Sequence, residues 1–566
     1  MASETSQVYD FIVVGAGPAG SALATQLAKT TQAPSVLLIE AGSDNSNAWG
    51  YESNPDAHMD NRVLPLARGK GLGGSSAVNF TVWSEGAKAD WDRMVTLTGD
   101  GSWAWDKVKQ RYNKLTTHHC TYPDVEKERQ RYIHQKEGNY GTSGPIHIGY
   151  SQEPEEEVLS MLDIWEQNGV PVRPDPNDGN LLGFSVYPAT AWRGVRTTSA
   201  DLLYDAPDNL DIITDTPIRR VILENGQAVG IESLDGRIFK ASKEFILSAG
   251  AMDSPKILMH SGIGPEDQLS RFSIPVAHAN PNVGQNFQDH VAAIMRYQRE
   301  EHTTVMPAFF KSKAAQKAAL RQWEMHRTGP LATIGCTLPL GFVRSDDLLN
   351  SPEFASLPEE EKAFLSQPDV ASYEIGFGLP DFGFFMDPDN TPATFCVFLD
   401  LQYLQSRGSF TLKSSDPSVP LSFETNYLSH PYDRRQAIES TRYILKLLSS
   451  KDISKDTIAA IDAPASDSEE DILAWWRKSA STSWHMSATC KLGKDEVKDK
   501  AVVDPDFRVH GVKGLRVVDN SIWPFLPAAH VQAHAYQLGL IAAEKLAEEY
   551  GLAKAVNGVN GVNGGH

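Results

Sequence analysis

Three glycines near the start of the chain have the spacing of a phosphate-binding turn. Gly15, Gly17 and Gly20 follow an apolar segment in a G-x-G-x-x-G pattern. In this pattern the first glycine permits a tight turn, the second lets the backbone approach a pyrophosphate, and the third lets a helix pack close to the sheet. Glu40 lies about twenty residues further on, where a carboxylate can accept a hydrogen bond from a ribose hydroxyl. The pattern predicts a dinucleotide site but does not separate FAD from NAD.

A strand, a helix and a second strand must hold these residues in place. The apolar run 10–15 predicts a strand that ends at Gly15, the residues up to about Lys29 predict a helix, and the run 35–40 predicts a second strand that ends at Glu40. Because the helix begins in the glycine turn, its free N–H groups and the positive end of its dipole face a phosphate.

A second glycine-rich segment starts at Arg68, with four glycines and two serines between Gly69 and Ser76. Backbone N–H groups of such a segment can converge on an anion, and serine hydroxyls add hydrogen bonds. Apolar neighbours such as Leu72 and Val78 argue against a flexible surface loop. The candidate ligand-binding residues of this segment are Arg68, Gly73, Gly74, Ser75 and Asn79.

Histidines near the end of the chain are candidates for proton transfer. His485 lies in the segment 483–490, and His530 stands at the start of a predicted helix that runs to about Glu548. A histidine whose pKa is near neutrality can accept or donate a proton during a reaction. Taken alone, each histidine is more often structural. His534, four residues after His530 on the same predicted helix face, is interpreted as packing rather than as half of a metal pair.

Two further histidine-containing segments are interpreted as structural. His118, His119 and Cys120 lack regular metal-ligand spacing, so they predict an ordinary loop or helix end. His290 ends a Gly- and Asn-rich segment that starts at Val283, which predicts a loop with a structural histidine. No metal site is expected from the sequence.

The composition is that of an ordinary globular protein, with 566 residues, 41% hydrophobic and 22% charged. This length is enough for two domains with large cores. The net charge of −20 argues against nucleic acid or an anionic membrane as partner, since both need a basic face. No run is apolar enough to cross a bilayer and no signal peptide is evident, so a cytoplasmic location is expected. The four cysteines form no C-x-x-C pair, which fits a reducing compartment.

Two long segments carry a resemblance to a known family. Residues 69–79 resemble the first signature of the glucose–methanol–choline (GMC) oxidoreductases, and residues 250–264 resemble the second. Together with the opening fingerprint, the resemblance runs from about Asp10 to about Glu548. It implies an enzyme that binds FAD and takes a hydride from a small-molecule alcohol or a related donor.

The resemblance also implies the fold class, which is α/β. A Rossmann-like FAD-binding domain is interleaved with an α+β substrate-binding domain, in which helices back a sheet. The expected boundaries are 1–115, 190–290 and 481–550 for the FAD-binding domain, 116–189 and 291–480 for the substrate-binding domain, and 551–566 for a disordered tail. Most phenylalanines of the substrate domain are expected to be core residues, and an aromatic pocket rim is the alternative for Phe309, Phe310, Phe377, Phe382, Phe384 and Phe385.

By resemblance, His485 matches the first active-site histidine of the family and His530 matches the second. His485 is the expected general base, and His530 is expected to orient and stabilise the alkoxide. Val78 stands where choline-oxidising members carry the histidine that attaches FAD, so non-covalent FAD is expected. The remaining cofactor-binding candidates are Ile218 for the adenine, Asp519 and Asn520, and Val531 and Gln532, whose N–H groups would face the flavin.

Four functions remain open at this point. The leading one is a flavin alcohol oxidase or dehydrogenase. The second is a formate- or aldehyde-oxidising relative, because several stretches also look like the fungal formate oxidases of the family. Those enzymes place an arginine where His530 stands, and a carboxylate substrate needs such a cation. The third is a non-redox lyase or cyclase on the same scaffold, and the fourth is a flavin-binding scaffold without catalysis.

Overall fold

The computed structural model describes residues 4–44, 47–119, 132–133, 138–151, 156–304, 306–332, 338–379 and 392–553. The strands in chain order are β1 (Glu4–Val14), β2 (Val36–Ile39), β3 (Asn47–Trp49), β4 (Arg68–Lys70), β5 (Thr116–His119), β6 (Ile146–Gly149), β7 (Gly183–Tyr187), β8 (Ala191–Trp192), β9 (Val195–Arg196), β10 (Leu210–Ile213), β11 (Ile218–Glu224), β12 (Gln227–Ser233), β13 (Ile238–Leu247), β14 (Ile263–Gly264), β15 (His278–Ala279), β16 (Val291–Arg299), β17 (Leu338–Val343), β18 (Tyr373–Leu379), β19 (Thr394–Leu401), β20 (Ser409–Thr411), β21 (Ser422–Glu424), β22 (Thr457–Asp462), β23 (Ser481–Thr482) and β24 (Leu515–Val517).

The α-helices in chain order are α1 (Pro18–Ala28), α2 (Lys88–Thr98), α3 (Trp105–Leu115), α4 (Glu156–Gln167), α5 (Gly250–His260), α6 (Glu266–Arg271), α7 (Met306–Lys311), α8 (Lys313–His326), α9 (Asp346–Leu349), α10 (Pro352–Ala355), α11 (Glu359–Leu365), α12 (Pro431–Leu448), α13 (Lys451–Ser454), α14 (Glu469–Ser479) and α15 (Gln532–Glu549). Among these described helices, none combines the length and the apolar character that crossing a membrane requires.

The first sheet has the strand order β10-β2-β1-β13-β12-β11, and β24 pairs with β13. Strands β10, β2, β1, β13 and β24 run parallel to one another, and β12 and β11 are antiparallel additions at the other edge. Their continuous apolar runs, such as 11–14 and 36–39, are fully buried, as parallel sheets require. Because the carboxyl ends of parallel strands meet at one edge, this sheet brings together Gly15, Glu40, Ser248 and Asp519, which follow four different strands.

Helix α15 packs on α1, the helix of the glycine fingerprint. A Cβ atom at Gly539 would lie 2.2 Å from the carbonyl oxygen of Ala19, so the two helices approach too closely for any side chain there. This packing fixes the start of α15, and with it the loop that carries His530, against the first sheet.

The second sheet is antiparallel, with the order β22-β16-β19-β18-β17-β7, and β23 pairs with β16. The β16–β23 pairing aligns Val291 with Thr482, so the residues just outside the two strands, His290 and Ser483, are neighbours. The Ser483 N–H donates to the His290 carbonyl at 3.0 Å. This short pairing places the segment that leads to His485 beside the second sheet.

The mixed α/β architecture with sheets backed by helices confirms the expected fold class. The division into domains stays a proposal, supported by the two separate sheets. Three local expectations were wrong. The strand before Gly15 starts at Glu4, so it is longer than the run 10–15. His118 and His119 lie in strand β5 rather than in a loop or helix end, because they pair with β6.

The third wrong expectation concerns the last helix. It begins at Gln532, with Val531 as its N-cap, so His530 precedes it and does not share a helix face with His534. Some expectations fall outside the described residues, namely those on Cys120, on Phe382, Phe384 and Phe385, and on the tail beyond Ala553.

Candidate active site

A deep cleft crosses the carboxyl edge of the first sheet and contains about 1510 Å³ of space, including its opening to solvent. Its lining includes Ile218 and Arg219 of β11, and also Met486 and Asn520 from the C-terminal part of the chain. Nine of the predicted cofactor residues line it, namely Gly15, Gly17, Glu40, Arg68, Gly74, Ser75, Ile218, Asp519 and Asn520.

The glycines show where a ligand can approach the backbone. A Cβ atom at Gly15 would lie 2.3 Å from the Ser248 carbonyl oxygen, and φ at Gly15 is +104°, so the turn itself requires glycine. A Cβ atom at Gly17, in contrast, would meet nothing closer than the Gly74 Cα at 4.0 Å. The space beside Gly17 is therefore open, at the N-terminus of α1, where a pyrophosphate fits. The elongated cleft and its glycine-lined middle fit FAD.

Glu40 has a structural role besides its predicted hydrogen bond to a ribose hydroxyl. Its buried carboxylate accepts hydrogen bonds from the backbone N–H groups of Ala16 at 2.8 Å, Gly42 at 2.9 Å and Gly71 at 3.0 Å. Burial raises the pKa of Glu40 against the opposing effect of these donors. Glu40 thereby ties the first glycine turn to the second glycine-rich segment, a role that the sequence analysis did not foresee.

Asp519 and Arg68 organise the far end of the cleft. The buried Asp519 carboxylate accepts from the Gly250 N–H at 2.9 Å and from the Ser254 hydroxyl at 2.5 Å, which fixes the start of α5. Arg68 donates to the Trp484 carbonyl oxygen at 2.6 Å. Burial lowers the pKa of the Arg68 guanidinium, which nevertheless remains the cation of this region.

The other predicted cofactor residues are not among those that line the cleft. A Cβ atom at Gly20 would lie 1.9 Å from the Gly15 carbonyl oxygen, so Gly20 lets α1 pack on the turn. The Gly73 N–H donates to the Ala16 carbonyl at 3.1 Å. The Asn79 amide donates to the Gln532 side chain, and the carbonyl of Val531 accepts from Asn520 at 3.3 Å. These residues connect the glycine-rich segments to the start of α15.

The two predicted catalytic histidines meet beside the Met486 end of the cleft. The rings of His485 and His530 pack edge to face with centroids 5.0 Å apart. The His485 backbone N–H donates to Asp289 at 2.8 Å, which fixes the position of the residue. Burial, reinforced by the neighbouring His530 and His290, holds the pKa of His485 well below its usual value. His485 is thus a neutral imidazole at physiological pH.

His290 contacts His485 directly, which sequence reasoning missed. The two Nδ1 atoms lie 2.9 Å apart, and His290 Nδ1 also lies 3.7 Å from Asp400 Oδ2. Burial, with His530 and His534 nearby, lowers the pKa of His290, whereas burial and Glu374 raise the pKa of Asp400 well above its ordinary value. Among the described residues, His290, Asp400 and His485 are the one group whose potential metal-ligand atoms all lie within 4.8 Å of one another.

Glu374 is the second site residue that sequence reasoning missed. Its Oε1 lies 2.8 Å from His530 Nε2, and its side chain is fully buried. Glu374 stands opposite Asp400 in the β18–β19 pairing. The one signal in the sequence was an acidic residue inside an apolar strand run, which occurs at Glu374 and again at Asp400. An acidic residue in such a run is unusual unless its carboxylate has a buried partner.

His534 lies near this group but packs as expected. Its ring stacks on Trp91 at 4.9 Å between centroids, and no hydrogen-bond partner of either ring nitrogen is found within the described part of the chain. Burial lowers its pKa to about 3, so it is a neutral core residue.

Comparisons with known proteins agree with this geometry. Models of the GMC oxidoreductase family match residues 9–292 and 405–539. An oxygen-dependent choline dehydrogenase from Sinorhizobium medicae is 30% identical over 96% of this chain and 97% of that protein. A formate oxidase variant from Aspergillus oryzae RIB40, studied for FAD modification, has a TM-score of 0.84 at 27% identity and covers 97% of this chain and 99% of its own.

A fungal aryl-alcohol oxidase shares the fold, with a TM-score of 0.85 at 24% identity over 96% of this chain and all of its own. Family model, relatives and neighbours all span the cleft and the histidine pair. This chain belongs to the GMC oxidoreductase family, and it is an FAD-dependent oxidoreductase.

Proposed function

We propose that this enzyme oxidises the CH–OH group of a neutral or cationic alcohol, with His485 as general base and His530 as its partner. The observation that carries the proposal is a neutral, buried His485 in edge-to-face contact with His530 beside the dinucleotide cleft. A general base must be unprotonated before it can act, and burial keeps His485 in that form.

The proton and the hydride leave the alcohol by separate routes. His485 accepts the hydroxyl proton, so negative charge develops on the alcohol oxygen. Glu374 holds His530 Nε2, which fixes the ring, and His530 can stabilise that oxygen only through an Nδ1–H that donates to it. Bound FAD supplies the hydride acceptor.

The charges around His530 select the substrate class. The buried Glu374 carboxylate next to His530 repels an anionic substrate, so formate is disfavoured on electrostatic grounds. A neutral alcohol, or a cationic one such as choline, meets no such repulsion. Phe80, which is 41% exposed, contacts Trp484 with ring centroids 6.0 Å apart and adds an apolar surface next to His485.

The cleft suggests how FAD binds. The pyrophosphate would lie against Gly17 and the N-terminus of α1, the adenine near Ile218, and the flavin ring between Asn520 and the start of α15, where Val531 and Gln532 stand. A ribose hydroxyl would reach Glu40. The FAD is proposed to be non-covalent because Val78 offers no nucleophile. Acid precipitation of the protein should release yellow flavin into the supernatant, and flavin retained in the pellet would contradict this.

Anaerobic flavin bleaching tests the function. The purified holoenzyme is mixed with choline and with aryl, aliphatic and sugar alcohols, and formate is the anionic comparison. We expect one alcohol class to bleach the flavin and formate to leave it oxidised. Admitting air then separates an oxidase from a dehydrogenase. Bleaching by formate alone would overturn the substrate class, and a flavin that no donor reduces would favour redox-neutral chemistry.

A further inference from the structure

The contact between His290 and His485 restricts where their protons are. Two Nδ1 atoms at 2.9 Å form a hydrogen bond in which one nitrogen donates and the other accepts. Both rings are buried, and they stand perpendicular at 5.1 Å between centroids. The backbone of His485 is bound by Asp289, the residue next to His290, so both partners are fixed by one short segment.

The direction of this hydrogen bond decides whether His485 can act as a base. If His485 Nδ1 donates to His290, His485 Nε2 carries no hydrogen and can accept a proton from a substrate. If His290 donates instead, neutral His485 carries its hydrogen on Nε2 and cannot accept one there. The second arrangement disables the proposed base.

We propose that His290 is a positioning residue that accepts the Nδ1 hydrogen of His485 and so forms a two-histidine proton relay. The inference rests on the proposed function, because it concerns the same base. As the alcohol O–H bond breaks, a bond forms between its proton and His485 Nε2. The His485 Nδ1–H bond then breaks, and a His290 Nδ1–H bond forms. The positive charge ends on His290, one residue further from the substrate.

Because burial lowers the pKa of His290, the relayed proton can rest there only transiently, close to the polar groups around the ring. Asp400 Oδ2 lies 3.7 Å from His290 Nδ1, and Asp400 is itself held by the Ser483 hydroxyl at 2.6 Å and the Gln402 amide at 3.1 Å. No hydrogen-bond partner of His290 Nε2 is found among the described residues. The titratable and charged groups that face the two rings are His530, His534, Glu374, Asp289, Asp400 and Arg68.

The same three side chains could also be considered as metal ligands, but the hydrogen bonds favour a relay. A metal would displace the hydrogen between the two Nδ1 atoms, and Asp400 Oδ2 already accepts from Gln402. Metal analysis of the purified holoenzyme separates the two readings. We expect substoichiometric metal, and one tightly bound ion per chain that is lost in His290→Asn would overturn the relay.

The tautomer of His485 tests the relay without any substrate. Histidine-selective 15N NMR of the oxidised holoenzyme, assigned with a His485→Gln variant, distinguishes protonated from unprotonated ring nitrogens. We expect His485 to carry hydrogen on Nδ1 and none on Nε2. Hydrogen on Nε2 would overturn the proposal even if alcohols bleach the flavin. If no alcohol bleaches it, the NMR result still decides the direction of the hydrogen bond.

Variants of His290 separate proton transfer from packing. In His290→Asn, the amide oxygen can accept the His485 hydrogen but cannot take it over, so we expect the tautomer to persist while anaerobic flavin reduction slows by at least about tenfold. The proton inventory in mixed H2O and D2O should change from curved to linear. His290→Phe removes the acceptor, so His485 should also lose its single tautomer. A normal rate and an unchanged inventory in His290→Asn would show that His290 only fills space.

Discussion

The cofactor cleft and the histidine site are built in opposite ways. In the cleft, short segments supply backbone N–H groups and open space, as at Gly17, and Glu40 joins the first glycine turn to the second glycine-rich segment. In the histidine site, side chains from distant strands meet in pairs, His290 with His485 and Glu374 with His530. Mutations should therefore be able to disturb cofactor binding and substrate chemistry separately.

The cofactor cleft and the histidine site also differ in their electrostatics. Anionic groups of a dinucleotide meet helix N-termini, which carry partial positive charge. The substrate instead meets two imidazoles, and the buried acids Asp400 and Glu374 stand behind them, opposite each other in the second sheet. Mutations in the cleft should therefore affect flavin content, and mutations in the histidine site should affect the rate at which bound flavin is reduced.

The largest expected effect comes from the removal of the base. His485→Ala should retain its flavin but reduce it about 100- to 10,000-fold more slowly, the range for loss of a general base. The measurement is anaerobic stopped-flow reduction with the best alcohol from the panel, together with the absorbance ratio of flavin to protein. His302→Ala, at a side chain that is 72% exposed, is the matched control and should behave as the wild type. A normal reduction rate in His485→Ala would make the base assignment wrong.

Glu374→Gln tests the charge behind the second histidine. Glutamine keeps a hydrogen-bonding group beside His530 but removes the negative charge, so alcohol-driven flavin reduction should fall about a hundredfold. Acetate, an anion that the wild type should reject, should bind at least about tenfold more tightly, because a repulsion in a buried site is gone.

The control is Glu353→Gln, which alters an ion pair with Arg435 elsewhere in the fold. It should change neither the reduction rate nor acetate binding. Unchanged acetate affinity in Glu374→Gln would mean that Glu374 does not set the substrate charge.

Gly17→Ala tests whether the pyrophosphate of FAD lies against Gly17 in the cleft. The new Cβ atom has no protein atom closer than 4.0 Å, so the apoprotein should keep its melting temperature. If a pyrophosphate lies against Gly17, the methyl group crowds it, and FAD affinity should fall at least about tenfold. Flavin that does bind should be reduced at the normal rate. Gly50→Ala, with open space around its Cβ position, is the control. Unchanged FAD affinity in Gly17→Ala would place the pyrophosphate elsewhere.

The cleft is built from short segments and the histidine site from distant strands, and this difference also explains how much of each the sequence could predict. Gly15, Gly17 and Glu40 were found because a turn, a helix start and a strand end lie within about thirty residues, where spacing has a direct structural meaning. His485 and His530 were predicted through the family resemblance rather than through spacing. The family and the fold class followed from the same signatures.

What could not be predicted depends on pairing between distant strands. Glu374 and Asp400 face each other only because β18 and β19 pair in one register, and a slip of either strand by one residue would turn its acidic side chain to the other face of the sheet. His290 looked like the end of a loop, and its contact with His485 depends on the pairing of β16 with β23. A buried acid inside an apolar strand run is the signal that would have drawn attention to Glu374 and Asp400.

The smallest expected effect is a rate that hardly changes with pH. Burial places the pKa of His485 well below 6.5, so the base stays neutral as the pH falls through that value. An unperturbed histidine would lose about tenfold in rate between pH 7.5 and 5.5, whereas the reduction rate here should change by less than about twofold. The measurement is the limiting rate of anaerobic reduction with an uncharged alcohol at each pH.

Asp289 is one group in this site whose pKa lies in the same range, because burial raises it to about 6. Its protonation weakens the acceptor for the His485 backbone N–H and can produce a shallow inflection that mimics a histidine. In Asp289→Asn, such an inflection should disappear while the rate stays level. A tenfold loss of rate near pH 6.5 that persists in this variant would indicate that His485 itself titrates there. That result would contradict the assignment of His485 as a neutral, buried base.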